Sequence, residues 1–334
     1  MNPHALAELA RLLPQKIDFL LCSASYEERC LSIPLLLEPA RVRVAMIAEN
    51  ANRRELHGAN PARLNAHFAG RAIEVSLSTR NPVVTADSLL RALASVQRDT
   101  EGRPLDIVVD ITAFTHEALL IVFNLLIECV PESQVYCAYA TAREYSIGDR
   151  PESKWLSKGI AEVRSVLGYP GELRPSRQLH LIVLVGVEHE RVTELIRVYE
   201  PSRISLGYAE KSSSNQEHWK ANQHGIDAVR AVYGEAGVFE FPVFDPDGTR
   251  RAIVQQMESA GDLNTIVAPM NTKLSTLGAA LVCIENTSVQ LAYAQALIYN
   301  IAGYSSPGDE GYLFKVDSEK LRSTGVNEAS ITGM

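Results

Sequence analysis

Polar and charged side chains cluster at four places in the sequence, each directly after an apolar run. These segments are Ser23–Arg29, Asp110–Glu117, Gly186–Arg191 and Asn271–Thr276. Open α/β sheets gather ligands beyond the carboxyl ends of their strands, where loops lead into helix N-termini whose unpaired N–H groups favour anions. The chemistry expected of these segments is therefore binding of an anion such as phosphate, or proton transfer beside one.

The candidate functional residues all lie within these four segments. The candidate ligand-binding residues are Ser23, Ser25, Arg29, Asp110, Thr112, Thr115, Arg191, Asn271, Thr272 and Lys273. Asp110, Glu28 and His116 are the candidate catalytic acids or bases, with Arg29 or Lys273 stabilising charge. The run from Asn271 to Lys273 is the most ligand-like, because a lysine at a strand-to-helix junction is well placed to contact phosphate.

Several of these residues also have a purely structural interpretation. Ser25 and Glu28 have the spacing of a capping box, which predicts a helix beginning at Tyr26. Asp110 ends an apolar strand, where a carboxylate needs hydrogen bonds or a cation, so it would make an Asx turn or cap the next helix. Thr115 is a similar candidate for a helix cap.

Arg29 and Arg191 each fall in the first turn of a predicted helix, where a cation opposes the helix dipole. A partner must therefore compensate each charge. The alternatives are a phosphate of a ligand, or a salt bridge between the two halves of the chain that uses Glu28 or Glu190.

Composition and motifs exclude several classes of protein. The sequence lacks GxGxxG, GxxxxGK[ST], HExxH and GxSxG, and its five cysteines are scattered without CxxC spacing, so we expect no metal and no cofactor. A net charge of −8 argues against an extended nucleic-acid surface. The longest apolar stretch, Ala118–Ile127, has about half of the ~20 residues that cross a bilayer. We therefore expect a cytoplasmic protein that does not bind membranes.

The two halves of the sequence repeat each other. Glu28-Arg29 recurs 162 residues later as Glu190-Arg191, and Glu38-Pro-Ala-Arg41 recurs at the same offset as Glu200-Pro-Ser-Arg203. The offset then falls slowly, to 154 residues for the pairs Tyr139/Tyr293 and Tyr145/Tyr299. A slowly drifting offset is typical of an internal duplication followed by loop deletions.

Each half is predicted to contain strand, helix, strand, a variable stretch, strand, helix and strand. In the first half the predicted elements are Asp18–Ser23, Tyr26–Leu37, Val42–Ala48, Ile73–Leu77, a helix near Ala86–Gln97, Leu105–Asp110, Thr115–Cys129 and Gln134–Tyr139. Uninterrupted apolar runs such as Leu181–Val185 are typical of parallel strands covered on both faces. The pattern predicts an α/β fold of two tandem Rossmann-like, doubly wound parallel-sheet halves.

The predicted domains are residues 1–165 and 175–316, followed by a polar tail at 317–334. The boundary is placed in Ile160–Arg177, where glycines and prolines interrupt a polar stretch.

The run Asp110-x-Thr112-x-x-x-His116 resembles the fourth-strand motif of CARF domains, the CRISPR-associated Rossmann-like sensors, with His116 in place of their Arg or Lys. The run Pro269-Met-Asn-Thr-Lys273 is similar to the Gly-Gly-Thr-Lys turn of some of those domains, without its glycines. CARF domains usually pair as homodimers around a cyclic oligoadenylate, and the similar SAVED domains fuse two such units in one chain. The resemblance implies a ligand held between the two halves.

The first functional hypothesis is a nucleotide- or cyclic-oligonucleotide-sensing protein of prokaryotic antiviral defence, which signals through an effector protein or a homo-oligomer. The second is an enzyme at the same cleft, either a metal-independent nucleotide hydrolase or a ring-nuclease-type phosphodiesterase. The third is a non-catalytic scaffold subunit. Asp110 aligns with Ala268, and Thr115 with Lys273, so the unlike residues favour one composite site over two identical ones.

Overall fold

The computed structural model describes residues 1–52, 54–98, 100, 103–147, 155–211, 216–234, 236–301 and 303–317. The strands, in chain order, are β1 His4–Ala5, β2 Ile17–Ala24, β3 Val42–Asn50, β4 Ala72–Leu77, β5 Asp106–Asp110, β6 Gln134–Tyr145, β7 Ser157–Ser165, β8 Leu179–Leu184, β9 Arg203–Ala209, β10 Gly237–Phe241, β11 Asn264–Pro269, β12 Gln290–Tyr299 and β13 Ser305–Asp317. The α-helices are α1 Leu6–Leu12, α2 Asn60–His67, α3 Pro82–Arg98, α4 His116–Cys129, α5 His189–Tyr199, α6 Gln216–Tyr233, α7 Pro246–Ala260 and α8 Lys273–Glu285. The expected α/β class is confirmed.

The first compact unit contains Met1–Tyr145 and the segment that begins at Ser305. Among its described residues the strands form a seven-stranded sheet in the order β1-β13-β6-β5-β2-β3-β4. The five strands from β6 to β4 are parallel, whereas β13 and β1 are antiparallel additions. The chain therefore leaves the central strand β2 in one direction toward β4 and later returns beside it at β5, which is the reversal of strand order seen in Rossmann-like sheets.

The second unit is formed by Ser146–Tyr304 within the described part of the chain. Its six-stranded sheet has the order β10-β9-β8-β11-β12-β7, parallel except for β7. Its five parallel strands, β10-β9-β8-β11-β12, have the same order as β4-β3-β2-β5-β6 of the first unit, and the reversal falls between β8 and β11. Helix α5 packs against α6, and α7 packs against α8. Strand β8 is buried along most of its length, as expected of a parallel strand covered by helices.

Two antiparallel strands set the limits of the units. β7 follows β6 in the chain but pairs with β12, and β13 follows β12 but pairs with β6. The first sheet is thus completed by a strand from far along the chain, and the second by the strand that directly precedes β8. The predicted domain limits differ from this division, because Ile160 lies within β7 and the chain after Ser305 belongs to the first sheet. The tail at 318–334 lies outside the described residues.

The helix predicted at Tyr26–Leu37 is wrong. The chain instead forms two short 3₁₀ segments, Glu28–Leu31 and Pro34–Leu36. Pro34 lacks the N–H group that an α-helix would need and its ring crowds the preceding turn, so a continuous helix cannot pass through it. The predicted helix at Thr115–Cys129 is present as α4, and its apolar residues are buried. Within the described residues, no helix combines the length and apolar character needed to cross a membrane.

Candidate functional site

The candidate residues lie at the carboxyl ends of the parallel strands, where strand order reverses. In the first unit the relevant loops follow β2 and β5, and in the second they follow β8 and β11. The sequence therefore predicted correctly which loops share one edge of each sheet. Each unit has its own cluster of side chains at that edge.

Arg29 is the centre of the first cluster. It is 3% exposed, and its Nε and Nη2 donate to Glu27 Oε2 at 3.1 and 2.5 Å. Nε also donates to the Ser305 hydroxyl at 2.9 Å, and Nη1 donates to the Ala140 carbonyl and the Tyr145 hydroxyl, each at 3.2 Å. The guanidinium is thus paired and hydrogen-bonded within its own unit. The compensating carboxylate is Glu27 rather than the predicted Glu28 or Glu190, since the Glu28 side chain is exposed.

The charge of Arg29 is firmly retained. Burial by itself would lower its pKa, but the carboxylate of Glu27 and the tyrosines Tyr145 and Tyr139 raise the pKa well above its ordinary value. The guanidinium also lies over the Tyr145 ring, 5.1 Å from its centre. Arg29 therefore acts as a fixed cation that ties the loop after β2 to β6 and β13.

Asp110 and Thr112 form a second buried pair in this cluster. The Asp110 carboxylate accepts from the Thr112 backbone N–H at 3.1 Å and from its hydroxyl at 2.5 Å, the geometry of an Asx turn. The Thr112 hydroxyl in turn accepts from the Ala140 N–H at 2.9 Å. Because Arg29 contacts the carbonyl of the same Ala140, the structure brings Arg29, Asp110 and Thr112 together. Burial raises the pKa of Asp110 to about 7, although the hydrogen bonds from Thr112 and the charge of Arg29 lower it.

The other candidates of the first unit lie in β2, in the loop that follows it and at the start of α4. The Ser25 hydroxyl accepts from the Glu27 N–H at 3.3 Å and so stabilises a turn rather than the predicted capping box. Thr115 caps α4 by accepting from the Ala118 N–H at 3.2 Å. Ser23 is buried in β2, and His116 is the half-buried first residue of α4.

Arg191 is the counterpart of Arg29 in the second unit, but its surroundings differ. It is 6% exposed, its Nε donates to the Ala294 carbonyl at 2.7 Å, and its guanidinium lies 5.3 Å from the centre of the Tyr293 ring. Its Nη2 has no hydrogen-bond acceptor among the described residues. Burial opposes the charge, but Tyr293 and Glu188 raise the pKa of Arg191, so it is a buried cation.

The loop after β11 is held mainly by structural hydrogen bonds. Asn271 Nδ2 donates to the Val185 carbonyl at 2.5 Å and so joins the loops after β11 and β8. The Thr272 hydroxyl caps α8 by accepting from the Ser275 N–H at 3.0 Å, and it donates a short bond to the Val243 carbonyl. Lys273 is the half-buried first residue of α8. Among the three, Lys273 has the position expected for an anion contact.

Gly186 allows these two loops to meet. A Cβ at this position would lie 2.1 Å from the Met270 carbonyl oxygen, so no side chain fits there. The close approach brings the turn into α5 and the turn into α8 against each other at the reversal of strand order.

Four further residues complete these clusters and were not predicted from the sequence. Ser305 donates to Glu27 at 2.7 Å, and Ser157 donates to Glu188 at 2.9 Å. Both serines lie on the antiparallel strands, Ser305 opposite Tyr145 and Ser157 opposite Tyr299. A sequence signal existed for the glutamates, which precede the two repeated arginines. No such signal connected Glu27 to Ser305, 278 residues away, or Glu188 to Ser157, 31 residues away.

Fold and site together define a two-unit α/β protein with Rossmann-like sheets and a buried arginine at the carboxyl edge of each. The sequence matches no protein-family model and no curated protein. In the described part of the chain, no group of three or more His, Cys, Asp or Glu side chains is positioned to hold a metal ion.

Proposed function

We propose that this protein binds a nucleotide or cyclic oligonucleotide at the carboxyl edge of the second sheet and acts as a sensor in prokaryotic antiviral defence. The observation that carries the proposal is the position of Lys273, which directly follows the β11 loop and opens α8 at the reversal of strand order. Ligands of open α/β sheets bind at such reversals, and helix N-termini there favour phosphate.

Local electrostatics support a ligand with negative charge. Lys273 stands at a helix start, where a cation opposes the helix dipole and an anion bound nearby stabilises both. Arg191 adds a second cation at the same edge, buried and with one terminal nitrogen that no described acceptor contacts. Phosphate groups combine the charge and the several acceptor oxygens that such a site requires.

The likeness between the two units supports the internal duplication predicted from the repeated segments, and with it the resemblance to CARF and SAVED domains. The five parallel strands of each sheet share one order, and both arginines bond the carbonyl of an equivalent alanine, Ala140 or Ala294. Both units also pair a tyrosine hydroxyl with another six residues on, at 3.0 Å in the first unit and 3.5 Å in the second. A sensor of this kind would signal through an effector protein or a homo-oligomer.

The test is a thermal-shift screen of the purified chain against nucleotides and linear and cyclic oligonucleotides, followed by chromatography of any ligand that binds. We expect a stabilising shift from at least one of them, and recovery of that ligand intact. Lys273→Ala should abolish the shift, whereas Lys220→Ala, a matched change of an exposed lysine on α6, should leave it unchanged. Absence of a shift with every compound would overturn the proposal.

A second candidate function, nucleotide hydrolysis or phosphodiester cleavage at the carboxyl edge of the first sheet, is favoured by Asp110. A carboxyl group with a pKa of about 7 is suited to proton transfer near neutral pH. In that case chromatography would recover a converted product, and Asp110→Asn would stop that conversion. Recovery of unchanged ligand after prolonged incubation argues for the sensor instead.

A further inference from the structure

Arg29 and Arg191 differ in whether a carboxylate of the chain itself pairs with the guanidinium. In the first unit a carboxylate from the chain itself sits on the guanidinium, while in the second unit the equivalent glutamate does not reach it. We infer that Arg191 receives an oxyanion of a bound ligand, a phosphate or carboxylate oxygen, in the way that Arg29 receives the carboxylate of Glu27. The inference deepens the proposed function, on which it rests for the identity of the complete ligand.

The first unit shows what chemical group such an arginine accepts. Glu27 Oε2 lies 2.5 Å from Nη2 and 3.1 Å from Nε of Arg29, and the same oxygen accepts from the Ser305 hydroxyl at 2.7 Å. A guanidinium edge and a serine hydroxyl thus converge on a single anionic oxygen. This geometry is that of a charge-assisted hydrogen-bond site, for which the planar guanidinium is well matched.

The second unit has the same parts in a different arrangement. Glu188 precedes α5 as Glu27 precedes its 3₁₀ segment, and it accepts from Ser157 at 2.9 Å as Glu27 accepts from Ser305. Two residues separate Glu188 from Arg191, whereas one separates Glu27 from Arg29. Glu27 bonds both its serine and Arg29. With the longer spacing, Glu188 bonds its serine, and Arg191 Nη2 contacts no acceptor among the described residues.

A buried guanidinium nitrogen that lacks a hydrogen-bond acceptor is unfavourable, so a ligand that supplies an acceptor gains affinity from it. Such a desolvated charge is left without full compensation until an acceptor reaches it. An oxyanion at Nη2 would restore the pairing that Glu27 provides to Arg29. A neutral acceptor would supply a hydrogen bond but no compensating charge, so phosphates and carboxylates gain the most from this site.

The experiment is isothermal titration of the full chain with inorganic phosphate, pyrophosphate and acetate at constant ionic strength. We expect one oxyanion per chain, and we expect Arg191→Gln to weaken it roughly tenfold or more, the loss of one charge-assisted hydrogen bond. Arg197→Gln is the matched control, because Arg197 is an exposed arginine of the same helix that pairs with Glu194. Stronger binding of phosphate than acetate identifies a phosphate-bearing ligand, and the reverse identifies a carboxylate.

Glu27→Gln tests the same inference without altering Arg191. Removing the internal carboxylate exposes Arg29 to added anions, so we expect the stoichiometry to rise from one to two oxyanions per chain. If Arg191→Gln does not fold, Arg191→Lys replaces it and should weaken binding, since a lysine keeps the charge but not the planar fork. Unchanged binding in Arg191→Gln or Arg191→Lys, or no binding of any of the three anions, overturns the inference.

The two proposals fail in different ways. If phosphate binds through Arg191 but no nucleotide shifts the melting temperature, the oxyanion site stands and the sensing function falls. If a nucleotide binds equally well to wild-type protein and Arg191→Gln, the sensing function stands and Arg191 is not its receptor.

Discussion

The carboxylate of Asp110 accepts both the backbone N–H and the hydroxyl of Thr112, at 3.1 and 2.5 Å. These bonds would favour the charged form, and the positive charge of Arg29 acts in the same direction. Burial outweighs them, because Asp110 is 1% exposed, and the pKa rises from its ordinary value of 3.8 to about 7. A buried acid held near neutrality is typical of functional sites.

Asp110→Asn should make stability less dependent on pH. The pKa of Asp110 is raised in the folded state, so its contribution is fully present below pH 3.8 and is lost as pH rises through about 7. Asparagine keeps an acceptor oxygen for Thr112 and does not titrate. Urea unfolding at pH 4, 6 and 8 should show the variant gaining up to about 4 kcal/mol relative to wild type across this range.

Asp87→Asn serves as the control for this measurement, because Asp87 lies exposed on α3. It should leave the slope of stability against pH close to that of the wild type. Parallel profiles for wild type and Asp110→Asn would show that Asp110 does not titrate in this range.

His180 predicts the opposite pH dependence in the second unit. Its Nε2 lies 2.8 Å from the Ser205 hydroxyl, and burial, aided by the charge of Arg203, lowers its pKa from 6.5 to about 4. The stability it contributes is present above pH 6.5 and is lost as pH falls toward 4, because the unfolded chain takes up the proton first. His180→Gln should remove up to about 3 kcal/mol of this acid destabilisation.

The measurement is the free energy of unfolding of wild type and His180→Gln at pH 7, 5.5 and 4.5. His224→Gln, at an exposed position on α6, should follow the wild-type profile. An equal decline in wild type and His180→Gln on acidification contradicts the assignment.

Gly186→Ala should destabilise the second unit strongly. The added methyl group would lie 2.1 Å from the Met270 carbonyl oxygen, a backbone atom that cannot move aside without shifting the loop after β11. We expect a loss of at least about 2 kcal/mol in chemical unfolding, together with weaker ligand binding. Gly237→Ala is the comparison, since the atom nearest to the added methyl group would be 3.5 Å away. A similar loss of stability in both variants would show that the close approach at Gly186 is not the cause.

Thr272→Ala should lower stability by about 1–2 kcal/mol through the loss of the α8 cap. The Thr272 hydroxyl accepts from the Ser275 N–H at 3.0 Å and donates to the Val243 carbonyl. Thr272→Ser keeps the hydroxyl and should retain most of that stability in thermal or urea unfolding. If serine is no better than alanine, packing of the methyl group rather than capping explains the threonine.

Local patterns were enough to predict much of the fold. Apolar runs ending in polar residues correctly located strands β2, β3, β5 and β8, and the edge of the sheet at which their loops meet. The prediction failed at Tyr26–Leu37, where the spacing of Ser25 and Glu28 indicated a helix start. Pro34 is incompatible with a continuous helix there, and the chain forms two 3₁₀ segments instead.

The sequence by itself determined the α/β class, the four loops that carry polar side chains and the repeated arginines, because these depend on residue type and short spacing. Tertiary structure alone decided the partners of the arginines. Ser305 lies 276 residues from Arg29 and reaches it only because β13 pairs with β6. Pairing at a sheet edge depends on backbone N–H and C=O groups, which nearly all residue types share, so no residue pattern predicts which strands pair. The spacing of Glu188 and Arg191, one residue longer than that of Glu27 and Arg29, is visible in the sequence, but only the tertiary structure shows that Glu188 bonds Ser157.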